Sequence, residues 1–428
     1  MSIASVVRLH HRLRCALRGV AGARDRRMYL TGRQVCQPDV CYEPRVDAPS
    51  LERAAVEATG LDDFGDPGYR EGLTVLVGAL DAEAQLSPVG EMALTAQITA
   101  ALSNRLRVVD WRRRHPEVGA TRVEAPLVVL GLPRTGTTLL GGLLACDPTH
   151  RPLYRWEAND CIPPPEADAL TTDPRVEATR HGSQVLDSLN PGFKAIHHEE
   201  ADDPTECVTV LGQHFTSLLW ETLANVGSYG EWLLRADQRT AYRYHHDVLE
   251  VLQSRAPGRW SLKSPHHGLA LDALLAEYPD ARVVITHRDP VPVIGSLCSL
   301  IRSLSGTFSD ADHTAYIATH WPAIAEEIVT RTDAVRQTHS QRGFLDVAYR
   351  DLLNDPIETV RAIYVWDDHE LHPHTEAEMR AYLASHAQAR FGRHTYALDD
   401  FGLRAGAVRE RFADYVERHA IAPEGPPD

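Results

Sequence analysis

The sequence predicts an α/β fold: a mainly parallel sheet flanked by helices, preceded by a helical region and interrupted by a helical insert. Three observations predict it. Short apolar runs at 127–130 (Leu-Val-Val-Leu) and 281–286 (Ala-Arg-Val-Val-Ile-Thr) read as strands buried on both faces. Segments of helical periodicity alternate with them, the pattern of parallel strands joined by right-handed crossovers. A glycine-bounded turn at 131–136 joins the first run to an apolar helix.

Taken in order, residues 1–122 form a helical region and 123–428 the sheet domain, within which 146–257 is a largely helical insert. Residues 6–27 carry seven arginines against one acid, Asp25. They read as a solvated basic helix, without the continuous apolar core of a secretory signal. The stretch 50–59 is an amphipathic helix with Asp47 or Ser50 as cap, and 60–69 is a turn-rich break. Helical periodicity returns over 71–86 and 91–115. Beyond the central turn, 147–166 is irregular, and helices cover 175–189, 204–223 and 239–256. Trp260-Ser-Leu-Lys263 is a strand followed by a helix over 268–277. After the strand at 281–286, Asp289 caps a helix with Pro290 at its first position. That helix runs to about 304, and 344–348 is a fourth strand.

Composition narrows the function. A chain of 428 residues buries a large core, and a net charge of −15 speaks against general nucleic-acid binding. No apolar run approaches the length that spans a bilayer, so a soluble protein without an integral membrane segment is expected. Seven cysteines without C-x-x-C pairing fit reduced thiols and a cytoplasmic location. Homo-oligomerisation is left open. Of the 44 basic residues only two are lysines, Lys194 and Lys263. Arginine holds its proton, whereas a buried lysine shifts readily, which draws attention to those two.

The chemistry gathers at the strands' carboxyl ends, where ligands of such sheets sit. Residues 131–138 follow the phosphate-loop spacing G-x-x-x-x-G-K-[ST], a P-loop-type arrangement. Gly131, Gly136 and Thr138 match, but Thr137 replaces the lysine that reaches nucleoside triphosphates. The loop still suits an anion, and Arg134 supplies a cation within it. Lys263-Ser-Pro-His-His267 and His287-Arg-Asp289 end the neighbouring strands. Ser296 lies two helical turns into the helix that follows Arg288, so both could grip one phosphate.

These residues resemble the sulfotransferases that use 3′-phosphoadenosine 5′-phosphosulfate (PAPS). Pro133-Arg-Thr-Gly-Thr-Thr138 looks like that family's 5′-phosphosulfate loop, and Arg288 with Ser296 like its 3′-phosphate site. Trp260 to Pro265 is similar to its central lysine-bearing strand. Residues 197–206, 349–356 and 393–402 resemble the bacterial branch. One departure is Arg134, where many members carry lysine. The resemblance implies in-line attack of an acceptor hydroxyl on the PAPS sulfur, without a metal. The acceptor would be a small molecule, a lipid or a glycan.

By the same resemblance, Pro133, Arg134, Thr135, Gly136, Thr137, Thr138, Arg288, Ser296 and Arg393 would hold the donor. Arg134 and Lys263 would stabilise charge on the leaving group. Glu157 or His266 would be the general base, with His198 and Glu199 a third choice; Glu157 could instead pair with Arg155 or Arg134 as a structural group. Tyr349 and Arg350 would buttress the site, although a buried tyrosine and an ion-paired arginine is the simpler role for them. The four His-His pairs read as surface histidines, and the aromatic residues of the insert as core or acceptor lining. Two rival readings remain: a P-loop kinase or NTPase, with 283–289 loosely like a Walker B strand, and a non-catalytic nucleotide-binding protein.

Overall fold

The computed structural model describes residues 47–197, 199–339, 343–386 and 395–425. The arginine-rich stretch 6–27 and Arg393 lie outside them, as does His198. Five parallel strands form one sheet: β1 (Leu127–Gly131), β2 (His150–Pro152), β3 (Arg259–Lys263), β4 (Arg282–His287) and β5 (Phe344–Ala348). Their order is β2-β3-β1-β4-β5. β1 is therefore central, and the chain crosses from its β3 side to its β4 side, a change of direction that opens a crevice at the carboxyl ends.

The strand runs anticipated from sequence are present to within a residue or two, and β5 coincides with 344–348. β2 is an addition within the stretch expected to be irregular. Its residues, His-Arg-Pro, carry no strand propensity of their own, and pairing with β3 makes them a strand. The helix expected over 204–223 is broken into Val208–Gly212 and Leu219–Leu223.

Alternation along β1 explains why every one of its residues is apolar or glycine. Leu127 and Val129 pack on one face with Leu140, Leu143, Val284 and Ile363. Val128 and Leu130 pack on the other with Trp260, Leu262, Leu249 and Leu274. A third apolar cluster joins helices Ala48–Thr59, Tyr69–Ala82 and Pro88–Arg114 to Pro290–Phe308 and Thr314–Thr338. Asp47 caps the first of these, accepting from Ser50 N at 2.7 Å.

The helix Pro290–Phe308 corrects one expectation from the sequence. It has 19 residues and is apolar enough by length and composition to cross a membrane. Most of it is buried inside the protein, with Val293, Ile294, Leu297 and Ile301 at its core face. A core helix meets the same compositional test.

Candidate active site

The loop after β1 is shaped by two glycines in the left-handed half of backbone space. Gly131 has φ 152°, and a Cβ there would stand 2.3 Å from Thr286 Oγ1 and 2.6 Å from Thr286 O on β4. Gly136, at φ 90°, caps the helix Thr137–Ala145. Arg134 also adopts a positive φ, 69°, without being a glycine. That conformation costs energy in a non-glycine residue and recurs at ligand-binding loops. Thr135 is fully buried; its hydroxyl donates to Leu132 O at 2.6 Å and pairs with Thr286 Oγ1 at 2.6 Å. It braces the loop against β4. Pro133 is partly buried, Thr137 buried and Thr138 exposed. The first N–H groups of the helix behind them lack intrahelical acceptors and face the loop's open end.

Arg134, Ser296 and Arg288 are brought together although they lie on three different elements. Arg134 Nε donates to Ser296 Oγ at 3.0 Å, and Arg288 Nη1 donates to Arg134 O at 2.9 Å. The Arg288 guanidinium lies 4.0 Å over the Tyr349 ring, so Tyr349 buttresses it, while Arg350 is exposed. Burial pulls the Arg134 pKa below its ordinary value, and the nearby Arg288 charge adds to this. Burial works against charge on Arg288 too, but a bidentate pair with Glu424 (2.8 and 2.9 Å) outweighs it and leaves that pKa raised. Tyr396 packs its ring against Gly295, beside Ser296, and donates to Pro292 O at 3.0 Å.

Lys263 ends β3 on the opposite side of β1, paired in register with Val129. Its stem passes Gly141 of the loop helix, where a Cβ would lie 3.0 Å from Lys263 Cδ. Its ammonium is buried and, among the described residues, has no hydrogen-bond partner; Glu199 Oε1 stands 3.9 Å away. Glu199 accepts from Thr205 Oγ1 at 3.1 Å and lies 3.8 Å from Arg155 Nε. Burial raises the Glu199 pKa above its ordinary 4.5, against the pull of Lys263 and Arg155. Burial likewise raises that of Glu206, which feels both Lys263 and Arg134. Glu206 was not singled out from sequence. Its one signal was its place at the end of 197–206, the stretch that resembles the bacterial branch; its neighbour Cys207 donates its N–H to the Lys263 carbonyl at 3.0 Å.

Two expected bases are corrected. Glu157 has no exposed surface; its carboxylate accepts from Arg151 at 2.8 and 2.5 Å and from Tyr154 N at 2.8 Å. Its partner is Arg151 on β2, rather than Arg155 or Arg134, and its carboxylate is occupied by protein donors. His266 is also fully buried, with Nε2 on Gln238 Oε1 at 2.8 Å and Nδ1 accepting from Leu218 N at 3.3 Å. Burial pushes its pKa down to about 3, and neither ring nitrogen is free to take a substrate proton.

The expectation of surface histidine pairs is also overturned for His266 and His267, and for His245 of the 245–246 pair, all of which lie in the core. The insert's aromatic residues Trp220, Tyr229, Tyr242 and Tyr244 are core residues as well. Asp289, the Walker B look-alike, spends its oxygens on Val291 N (3.0 Å) and Glu424 N (2.7 Å) as a cap. Among the described residues two groups, His287–Asp346–His419 and His246–Asp247–Glu250, have metal-ligand types within reach of one another. Their acids are already ion-paired, Asp346 with Arg336 and Asp247 and Glu250 with Arg112.

Comparison with known proteins bears on the family and the fold. A family model described as "Sulfotransferase family" matches residues 126–373. The solved structure of sulfotransferase STF9 from Mycobacterium avium is 35% identical, with a TM-score of 0.80, covering 91% of this chain and all of that one. Sulfotransferase STF1 from Mycobacterium tuberculosis is 34% identical with a TM-score of 0.77, covering 86% of this chain and 99% of that one. The omega-hydroxy-beta-dihydromenaquinone-9 sulfotransferase Stf3 of Mycobacterium bovis is 24% identical over 318 residues, 69% of this chain and 75% of the relative.

Proposed function

The chain belongs to the sulfotransferase family, and from that membership we propose that PAPS is its donor and a hydroxyl of a small-molecule or lipid compound its acceptor. The observation that carries the donor reading is the convergence of Arg134, Ser296 and Arg288 at one end of the sheet, beside a glycine-shaped loop. In this reading Arg288 and Ser296 hold the 3′-phosphate, while the loop from Pro133 to Thr138 and its helix N-terminus hold the 5′-phosphosulfate. Thr135 shapes the loop from beneath. By the resemblance Arg393 joins the donor-binding residues, and Tyr396, packed against Gly295 beside Ser296, lies next to the 3′-phosphate seat.

Lys263 and Glu199 take the reactive roles. The acceptor oxygen forms a bond to sulfur as the bridging sulfur–oxygen bond breaks, and adenosine 3′,5′-bisphosphate leaves. Lys263 and Arg134 neutralise charge growing on the leaving oxygens. Glu199 takes the acceptor proton, a task suited to a carboxyl whose pKa burial has raised. Glu206 shares that environment and helps to hold Lys263 charged. No step calls for a metal.

We read 123–428 as the catalytic domain, 146–257 as its acceptor-facing insert and 1–122 as the helical region. The free cysteines among the described residues, Cys146, Cys161, Cys207 and Cys298, suit a cytoplasmic enzyme. The quinone acceptor named for Stf3 makes hydroxylated isoprenoid quinones the first compounds to try.

The test is transfer of labelled sulfate from PAPS to a panel of such quinones, phenols and glycans. The expected result is a labelled product with one adenosine 3′,5′-bisphosphate per transfer, lost in Arg288→Ala. Phosphoryl transfer from ATP–Mg in place of sulfuryl transfer would revive the kinase reading and defeat this one.

A further inference from the structure

We propose that Glu424 is a displaceable stand-in for the donor's 3′-phosphate, so that the segment 421–425 gates entry of the nucleotide. The inference rests on the reading of Arg288 as a 3′-phosphate ligand and goes beyond it.

The Arg288 guanidinium offers its Nε–Nη2 edge to the two Glu424 oxygens, at 2.8 and 2.9 Å. That fork fits a carboxylate and a phosphate in the same way, two parallel N–H···O bonds. The Nη1 group is spent on Arg134 O at 2.9 Å, so the edge turned to Glu424 is the one with two donors in line. While Glu424 sits there, a phosphate cannot form the bidentate pair.

The seat is read by main chain as well as side chain. Glu424 N donates to Asp289 Oδ2 at 2.7 Å, so the neighbours Arg288 and Asp289 hold both ends of one residue. The helix before the segment, Ala413–Arg418, is fixed separately. Arg418 and His419 bind Asp333 at 2.5 and 3.0 Å, and Tyr415 OH lies 3.2 Å from His287 Nδ1. These anchors deliver the segment to the end of β4, where Tyr415 also meets the Arg288 backbone, and leave the Arg288 guanidinium to Glu424.

Beyond those anchors Ile421 packs on the core and donates its N–H to Val416 O at 3.0 Å, and Glu424 holds the far end. Ala422, Pro423 and Gly425 are exposed, and Ile421 and Glu424 are partly so. The fork is bidentate, yet 16% of the Arg288 side chain and 31% of the Glu424 side chain stay exposed, so a competing anion can reach the pair. A phosphate monoester, with nearly two charges against one, can therefore displace the carboxylate. The 3′-phosphate then admits itself, and anions too weak to remove Glu424 are kept out.

The experiment is calorimetric titration of the full chain with adenosine 3′,5′-bisphosphate and with adenosine 5′-monophosphate. Wild type, Glu424→Gln and Arg288→Ala are compared. Glu424→Gln should bind the bisphosphate about threefold or more tightly than wild type, with the monophosphate unchanged. Hydrogen exchange on the wild-type chain needs no variant: saturating bisphosphate should speed exchange across 421–425 and leave 413–418 protected. Bisphosphate binding that depends on Arg288 but is unchanged or weaker in Glu424→Gln would overturn this inference alone. Slower exchange at 421–425 on binding would do the same. No binding to either the wild type or Glu424→Gln would overturn the inference together with the donor reading.

Discussion

Two buried glutamate–cation pairs lie near the carboxyl ends of neighbouring strands, and they differ in how completely they are satisfied. Arg151–Glu157 is closed: two side-chain bonds of 2.5 and 2.8 Å, a third from Tyr154 N, and the guanidinium stacked 4.7 Å over Trp260. Lys263–Glu199 is loose: 3.9 Å apart, with the ammonium making no hydrogen bond among the described residues. A closed pair has its charge neutralised by geometry and offers nothing to a substrate. A loose one keeps a cation and a proton acceptor available to whatever enters between them. Glu157 has no exposed surface, whereas 13% of the Glu199 side chain stays exposed; on the function proposed above, that opening and the count of satisfied donors separate structure from chemistry.

That contrast is open to several breaks. The largest expected effect is on stability. Glu157→Ala strands the Arg151 charge in the interior and should cost about 3–5 kcal/mol in a denaturation series. Whatever remains folded should keep its activity per molecule; a stable but inactive Glu157→Ala would return that residue to the catalytic set. Next comes Lys263→Met, which should lower kcat/KM by roughly 10²–10³-fold while the melting temperature holds or rises. Loss of folding with normal turnover in the folded fraction would make Lys263 a structural cation.

Glu199→Gln should be smaller still, about 10²-fold in kcat, and should abolish the acid limb of the pH–rate profile. Burial raises the folded pKa of Glu199, so wild-type activity should rise with pH through a midpoint above 4.5. An acid limb that survives in Glu199→Gln would assign the base elsewhere, with Glu206 the next to test.

The remaining effect is one of pH and belongs to the buried histidines. Burial holds His214, His245 and His266 near 3 and His150 near 4, all below the ordinary 6.5. The unfolded chain therefore takes up protons first, and stability is lost as pH falls below 6.5. Each histidine contributes up to roughly 1.4 kcal/mol per pH unit down to its folded pKa. Melting curves across that window separate this loss from the titration of Glu199. Stability that stays flat from pH 6.5 to 5 would contradict their neutral burial.

Much of this was legible in the chain itself. Apolar runs of β-branched residues located β1 and β4, and glycine spacing located the loop. Arg288 and Ser296 were placed by their positions at a strand end and on a helix face. What was hidden depends on partners distant in sequence or on elements without their own signal. β2 consists of His-Arg-Pro and exists because β3 offers it an edge, so Arg151, and with it the fate of Glu157, was invisible. His266 looked reactive beside Lys263 until Gln238 and Leu218 closed on its ring. Glu424 lies 136 residues from Arg288, and no local pattern links them.

On the function proposed above, this loop and its arginines form a site for PAPS. Thermal unfolding of the wild-type chain with adenosine 3′,5′-bisphosphate, beside AMP and ATP–Mg, tests it most directly. Bisphosphate at about 100 times its dissociation constant should stabilise the fold by roughly 2.7 kcal/mol, a shift of a few degrees. The shift should vanish in Arg288→Ala. A shift with ATP–Mg and none with the bisphosphate would contradict the claim.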